Sequence, residues 1–123
     1  MASQFGGLKP AHLWKRFEDI LKIPHCSGNE KAFGEYILAA AKDLGLEAKR
    51  DKIGNVLAHK PATPGREKAE GVILQGHMDM VGEKNSDIVH DFAKDPIRAS
   101  IKGEWVQAEI GRASCRERVC TTV

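Results

Sequence analysis

The feature that most constrains the fold is a short apolar run, Val-Ile-Leu at residues 72–74, which contains no polar residue. A strand with one face in solvent alternates apolar and polar side chains, whereas a strand covered on both faces is apolar throughout. The run therefore predicts a strand inside a sheet, with other strands beside it and helices against it. This arrangement is typical of the α/β fold class.

The segment near the start of the chain has the pattern of an amphipathic helix. Apolar residues recur at helical spacing between Leu13 and Leu21, so that they share one face. Pro10 can begin this helix, and Pro24 must end it because proline has no backbone N–H to donate.

A second amphipathic helix is predicted over residues 33–44. Ser27 and Glu30 have the three-residue spacing of a capping box, in which each side chain bonds the backbone N–H of the other residue. Gly45 follows the last apolar residue, where glycine commonly ends a helix because it adopts a positive φ without strain.

Shorter segments have the composition of β-hairpins. Residues 46–50 and 56–59 are predicted to be neighbouring strands, because both are extended in pattern and turn-forming residues lie between them. Residues 97–101 and 104–108 are predicted to form another hairpin around a lysine-glycine turn.

Composition and charge narrow the function classes. With 41% apolar and 29% charged residues among 123, the chain is expected to form one soluble domain. The net charge of +2 comes from residues 110–123, which hold three arginines and one glutamate, so residues 1–109 are neutral overall. The charge of the main part of the chain therefore does not indicate a nucleic-acid partner. No apolar run approaches the roughly 18 residues of a membrane span and the start lacks a secretory signal, so we expect a cytoplasmic protein without a membrane partner.

The predicted strand is followed by two side chains suited to a metal site, His77 and Asp79. Functional groups of α/β sheets collect at the carboxyl ends of strands, and residues two apart in an extended chain point to the same side. A histidine can bind zinc through one ring nitrogen while a carboxylate accepts the proton of the other. Two alternatives stay open: a histidine satisfied by structural hydrogen bonds, and a small non-enzymatic interaction module.

Other histidines have weaker claims to a functional role. His25 lies beside Cys26, but adjacent residues rarely reach each other as a catalytic pair, so we predict that this histidine packs in a loop. His90 and Asp91 again combine an imidazole with a carboxylate, and for them we predict a structural or substrate-side loop.

The residues around His77 resemble a known signature. Gly-His-Met-Asp-Met-Val at residues 76–81 is similar to the His-x-Asp motif of the co-catalytic zinc exopeptidases, which include carnosinases, aminoacylases and glutamate carboxypeptidases. Within that family, the chain resembles the bacterial aminoacyl-histidine (Xaa-His) dipeptidases from about residue 13 to residue 108. The other motifs that carry this resemblance are Ile23-Pro24-His25 with Ser27 and Glu30, Asp51-Lys52-Ile53-Gly54-Asn55, Lys60-Pro61-Ala62-Thr63, Val89-His90-Asp91-Phe92 and Lys94-Asp95-Pro96-Ile97.

The resemblance implies a fold, a metal and a reaction. The fold would be the N-terminal part of a zinc-exopeptidase catalytic domain, an incomplete α/β unit with helices packed on a mixed sheet. His77 would bind one of two Zn²⁺ ions, with other divalent metals as alternatives, and Asp79 would serve the catalytic site by orienting the imidazole. The general base and the remaining ligands would lie beyond residue 108. The substrate would be a dipeptide, Xaa-His by the resemblance. The complete enzyme could form a homodimer. This chain alone is expected to be inactive.

The last residues do not resemble the family. The string from Glu109 to Val119 resembles the translation of a widely used sequencing-library adapter. We therefore predict a native part over residues 1–108, an N-terminal fragment of the enzyme, and a non-native tail over residues 109–123. Cys115 and Cys120 then have no chemical role, and the tail is expected to be disordered from Ile110 onward.

Overall fold

The structure, a computed structural model, describes residues 5–111. In chain order, its helices and strands are α1 (Ala11–Leu21), α2 (Lys31–Asp43), β1 (Glu47–Arg50), β2 (Val56–His59), β3 (Ala99–Lys102) and β4 (Trp105–Ala108). The combination of helices and strands confirms the predicted α/β fold class. Within the described range, no helix is both long enough and apolar enough to cross a membrane.

Helix α1 is held by an aromatic cluster near the start of the described chain. The ring centroid of Phe5 lies 5.6 Å from those of both Trp14 and Phe17, which are themselves 5.8 Å apart. Phe5 is only 1% exposed, so its ring is removed from water almost completely by these contacts. The helix begins directly after Pro10 and ends before Pro24, as the two prolines predict.

The predicted capping box at the start of α2 is wrong. Glu30 occupies the N-cap position but makes no side-chain cap hydrogen bond, and its Oε1 instead accepts the backbone N–H of Gly28 at 2.6 Å. The hydroxyl of Ser27 donates to Asp79 Oδ2 at 2.5 Å. A hydrogen bond to an ionised carboxylate is roughly twice as strong as one between neutral groups. This difference explains why the Ser27 hydroxyl bonds Asp79 and does not cap the helix.

The C-terminal end of α2 follows the prediction. Gly45 has φ of +69°, and its N–H donates to the carbonyl of Lys42 while the N–H of Leu46 donates to the carbonyl of Ala41. These two bonds form a Schellman motif, which satisfies carbonyls that the end of a helix would leave free. The motif turns the chain directly into β1.

Helix α2 covers one face of the β1–β2 hairpin. The two strands pair antiparallel with Glu47 opposite His59, which confirms this predicted hairpin. The apolar side chains that α2 buries are those of Phe33 and Ala41. Arg50 joins the helix to the turn, because its Nη1 lies 3.0 Å from the Glu35 carboxylate while its Nε donates to a turn carbonyl at 3.3 Å.

The prediction of a buried strand at residues 72–74 is wrong for this chain. Val72, Ile73 and Leu74 are 84%, 91% and 93% exposed, and no strand is assigned to them. The strands of residues 5–111 form two separate antiparallel pairs, β1–β2 and β3–β4, and neither pairs with this segment. An apolar strand of this kind needs paired strands beside it and helices over both of its faces. The described part of the chain supplies neither for residues 72–74, so the predicted mixed sheet is not formed.

The β3–β4 hairpin is confirmed, with Ala99 opposite Ala108 and a turn in which Gly103 has φ of +62°. Just beyond it, Ile110 is only 4% exposed and its carbonyl accepts the N–H of Asn85 at 3.0 Å. The prediction of disorder from Ile110 onward is therefore wrong at this residue. The rest of that prediction, with both tail cysteines, falls on residues 112–123, which lie outside the described range.

The turn between β1 and β2 is organised by one carboxylate. Asp51 Oδ1 accepts the N–H groups of Ile53, Gly54 and Asn55 at 2.9, 2.7 and 2.9 Å, and Oδ2 accepts the side-chain amide of Asn55 at 2.8 Å. These bonds favour the ionised form, so the Asn55 side chain first, and then the backbone N–H of Gly54, lower the pKa of Asp51.

We expect Asp51→Ala to open this turn, with severalfold faster amide exchange at Ile53, Gly54 and Asn55. Because the folded pKa lies below the unfolded one, the carboxylate stabilises the turn above its ordinary pKa, and this contribution is lost as the pH falls through the lowered value. Hydrogen exchange measured by NMR tests both statements, with Lys52→Ala as the control in the same turn. Unchanged exchange in Asp51→Ala would contradict the assignment.

Candidate metal site

The segment that carries His77 is anchored by backbone hydrogen bonds to residues 25–27, in the loop that precedes α2. Residues 26 and 80 form an isolated parallel bridge, in which the N–H of Met80 donates to the carbonyl of His25 at 3.0 Å. The N–H of Ser27 donates in turn to the carbonyl of Met80 at 3.3 Å. The bridge brings two segments together that are far apart in sequence, so that side chains of both can meet.

His77 and Asp79 are in direct contact, as their spacing predicts. Nδ1 of His77 lies 2.9 Å from Oδ1 of Asp79. An ionised carboxylate only accepts hydrogen bonds, so Nδ1 is the donor and Nε2 of the neutral ring keeps its lone pair. The His77 side chain is 80% exposed and that of Asp79 is 38% exposed. This arrangement leaves an oriented imidazole with a free coordinating nitrogen at an accessible position.

Asp79 has a second partner that the sequence analysis did not identify. Ser27 Oγ donates to Oδ2 of Asp79, so that each carboxylate oxygen accepts one side-chain hydrogen bond. The bond from Ser27, and next the bond from His77, lower the pKa of Asp79 and keep it ionised. Ser27 was missed because its capping-box spacing offered a local role, and the backbone bridge that places it beside Asp79 leaves no sequence signal.

The chemistry of these donors fits one zinc ligand with its orienting carboxylate. Within residues 5–111, no group of three or more histidine, cysteine, aspartate or glutamate side chains is arranged to hold a metal ion. A zinc site in a protein needs three or four protein ligands. The described residues therefore provide part of a metal site, beside an open cleft of about 760 Å³ that α2, the β1–β2 turn and residues 75–79 enclose.

The other predicted residues lie apart from this pair or serve packing. His25 is 5% exposed, its ring centroid lies 4.7 Å from that of Phe33, and its Nδ1 contacts a backbone carbonyl at 2.5 Å, which confirms a structural role. Burial, and then the charge of Asp79, raise the pKa of the Cys26 thiol, which disfavours the reactive thiolate. The ring of His90 packs edge-on against that of Phe92 at 4.5 Å, as a structural loop would.

Comparison with known proteins finds similar sequences and structures, while no protein-family model matches the chain. The chain is 50% identical over 106 residues to the cytosol non-specific dipeptidase of Escherichia coli (strain K12), a match that covers 86% of this chain and 22% of that protein. The crystal structure of aminoacylhistidine dipeptidase from Vibrio alginolyticus matches with a TM-score of 0.80 and 50% identity, over 85% of this chain and 21% of that one. Over the residues that match, this chain is therefore homologous to the dipeptidases with these two names, and it spans about a fifth of their length.

Proposed function

We propose that this chain is part of a zinc-dependent cytoplasmic dipeptidase that hydrolyses dipeptides, including those with C-terminal histidine. The observation that carries the proposal is the contact between Nδ1 of His77 and Oδ1 of Asp79 at 2.9 Å, with the imidazole 80% exposed. The names and the 50% identity of the two relatives support the reaction and the substrate class. The relative's name, a cytosol dipeptidase, supports the compartment.

In this proposal each described residue has a defined task. His77 would hold one of two zinc ions through Nε2, and Asp79 would fix the tautomer and the orientation of the ring for that role. When bound, zinc would polarise the scissile carbonyl of the dipeptide. The other ligands and the general base would come from parts of the complete enzyme that this chain does not span. No nucleic acid or membrane partner is proposed, and a homodimer is the proposed assembly of the complete enzyme.

The alternative, a small interaction module in which His77 and Asp79 are structural, is less well supported by the geometry. A structural histidine is expected to be buried among its partners, as His25 is at 5% exposure. His77 is exposed, and its contact with Asp79 satisfies only one of its two ring nitrogens. The coordinating nitrogen would have no task in a purely structural pair.

We also propose that residues 109–123 are foreign to the dipeptidase sequence. Genomic DNA read past the codon for Ala108 tests this directly. The resemblance to the zinc exopeptidases implies a Gly-x-Asp-x-Gly motif, whose aspartate would be a metal ligand, soon after that codon. Finding this motif would support a metallopeptidase continuation, whereas a stop codon at that point would favour the interaction module.

The full-length dipeptidase that carries this segment should hydrolyse histidine dipeptides only when zinc is bound, and the 123-residue chain should not hydrolyse them at all. A catalytic zinc normally takes three protein ligands, and His77 supplies one of them. Both proteins are assayed with Xaa-His and other dipeptides after chelation and after addition of zinc. Metal-dependent turnover by the 123-residue chain, or turnover by the longer protein that resists chelation, would contradict the proposal.

A further inference from the structure

We infer that Ser27 is a positioning residue for the metal site, which acts through Asp79 on the imidazole of His77. This inference rests on the proposed function, in which His77 binds zinc. Its basis is a chain of two hydrogen bonds: the Ser27 hydroxyl donates to Oδ2 of Asp79 at 2.5 Å, and Nδ1 of His77 donates to Oδ1 at 2.9 Å. Both oxygens of one carboxylate are thereby assigned to named donors.

The second bond matters because a carboxylate with one partner can still rotate. The terminal torsion of an aspartate is broad and roughly two-fold, so a single hydrogen bond to the imidazole defines the carboxylate plane poorly. A donor on the other oxygen fixes that plane. The imidazole of His77 is 80% exposed, so little packing is available to orient it and the carboxylate must do so.

Ser27 is itself held in place by the backbone. Its N–H donates to the carbonyl of Met80, the residue directly after Asp79, and residues 26 and 80 form the parallel bridge. Donor and acceptor are therefore fixed by the same backbone contact, although they lie 52 positions apart in the sequence. A hydroxyl at this position reaches Asp79 without a large entropic cost, because the chain around both residues is already ordered.

No other role of the Ser27 hydroxyl competes with this one in the described structure. The residue is exposed, so its side chain fills no core space. Helix α2 has no side-chain cap, so the hydroxyl does not serve the helix start. A hydroxyl has one proton to donate, and in this structure that proton goes to the carboxylate.

The test compares Ser27→Ala and Ser27→Thr with the unchanged full-length dipeptidase in its metal-free form, using nitrogen NMR of the His77 ring in mildly alkaline buffer. In the unchanged chain, we expect the tautomer with its proton on Nδ1. Ser27→Ala should shift the ring toward a mixture of the two tautomers, and Ser27→Thr, which keeps a hydroxyl, should restore it. Ser86→Ala is the matched control, because Ser86 is also an exposed serine in a turn.

Zinc affinity in the full-length dipeptidase provides a second readout, measured by competition with a chelator. We expect Ser27→Ala to lower it by about 10-fold, the low end for partners that orient a metal ligand. An unchanged tautomer together with unchanged zinc affinity in Ser27→Ala would overturn the inference and leave the proposed function intact. Zinc binding and hydrolysis that survive His77→Ala would instead overturn the proposed function, and this inference with it.

Discussion

In the full-length dipeptidase that we propose, His77→Ala should abolish dipeptide hydrolysis, and Asp79→Ala should reduce hydrolysis or zinc affinity by about 10- to 100-fold. Removing the imidazole removes a zinc ligand outright. Removing the carboxylate leaves the ligand present but free to rotate and to change tautomer. The two variants should therefore differ in degree, and kcat, KM and zinc affinity measured for each would show it.

The controls for this prediction lie on the same chain. His12→Ala removes an exposed histidine of α1, and Asp87→Ala removes an exposed aspartate of a turn, so both match the change in charge and size. Both control variants should retain full activity. Unchanged rates in His77→Ala and Asp79→Ala would return the pair to a structural role and favour the interaction module.

The 123-residue chain expressed alone should be aggregation-prone or partly molten. Val72, Ile73 and Leu74 expose a continuous apolar strip, and exposed apolar patches promote association. Ordering roughly 100 residues costs on the order of 100 kcal/mol of conformational entropy, and complete domains exceed that cost by only about 5 to 15 kcal/mol. A chain that leaves this strip exposed loses hydrophobic stabilisation of a size that its small net stability cannot spare.

Light scattering, thermal unfolding and binding of a hydrophobic dye would measure this behaviour. Ile73→Lys should reduce aggregation without changing the two hairpins, because the side chain that it replaces touches solvent almost everywhere. Ile53→Lys, on the exposed β1–β2 turn, is the matched control for adding charge elsewhere. A cooperative thermal transition with slow amide exchange at residues 72–74 would show an autonomous domain and contradict the prediction.

Elements governed by local signals could be predicted from the sequence. The prolines around α1, Gly45 after α2 and the turn residues of both hairpins each act within a few positions, and the structure agrees with all of them. The spacing of His77 and Asp79 also predicted their contact, because two residues of an extended chain fall on one side.

Features that depend on distant partners could not be predicted in this way. Ser27 has a plausible local role as a helix cap, yet it donates to a carboxylate 52 positions away, and only the folded chain shows that competition. For residues 72–74, the apolar pattern correctly describes an element that needs cover on both faces. Pattern alone does not reveal whether the same chain provides that cover, and residues 5–111 do not.

The contact between residues 26 and 80 closes a ring of chain that includes α2, the β1–β2 hairpin and the exposed loop at residues 61–70. The entropic cost of closing such a ring grows only with the logarithm of its length, about 0.6 kcal/mol for each doubling. Insertions or deletions in the 61–70 loop would thus leave Ser27 and Asp79 facing each other. The length of this loop can therefore change while Cys26 and Met80 stay paired.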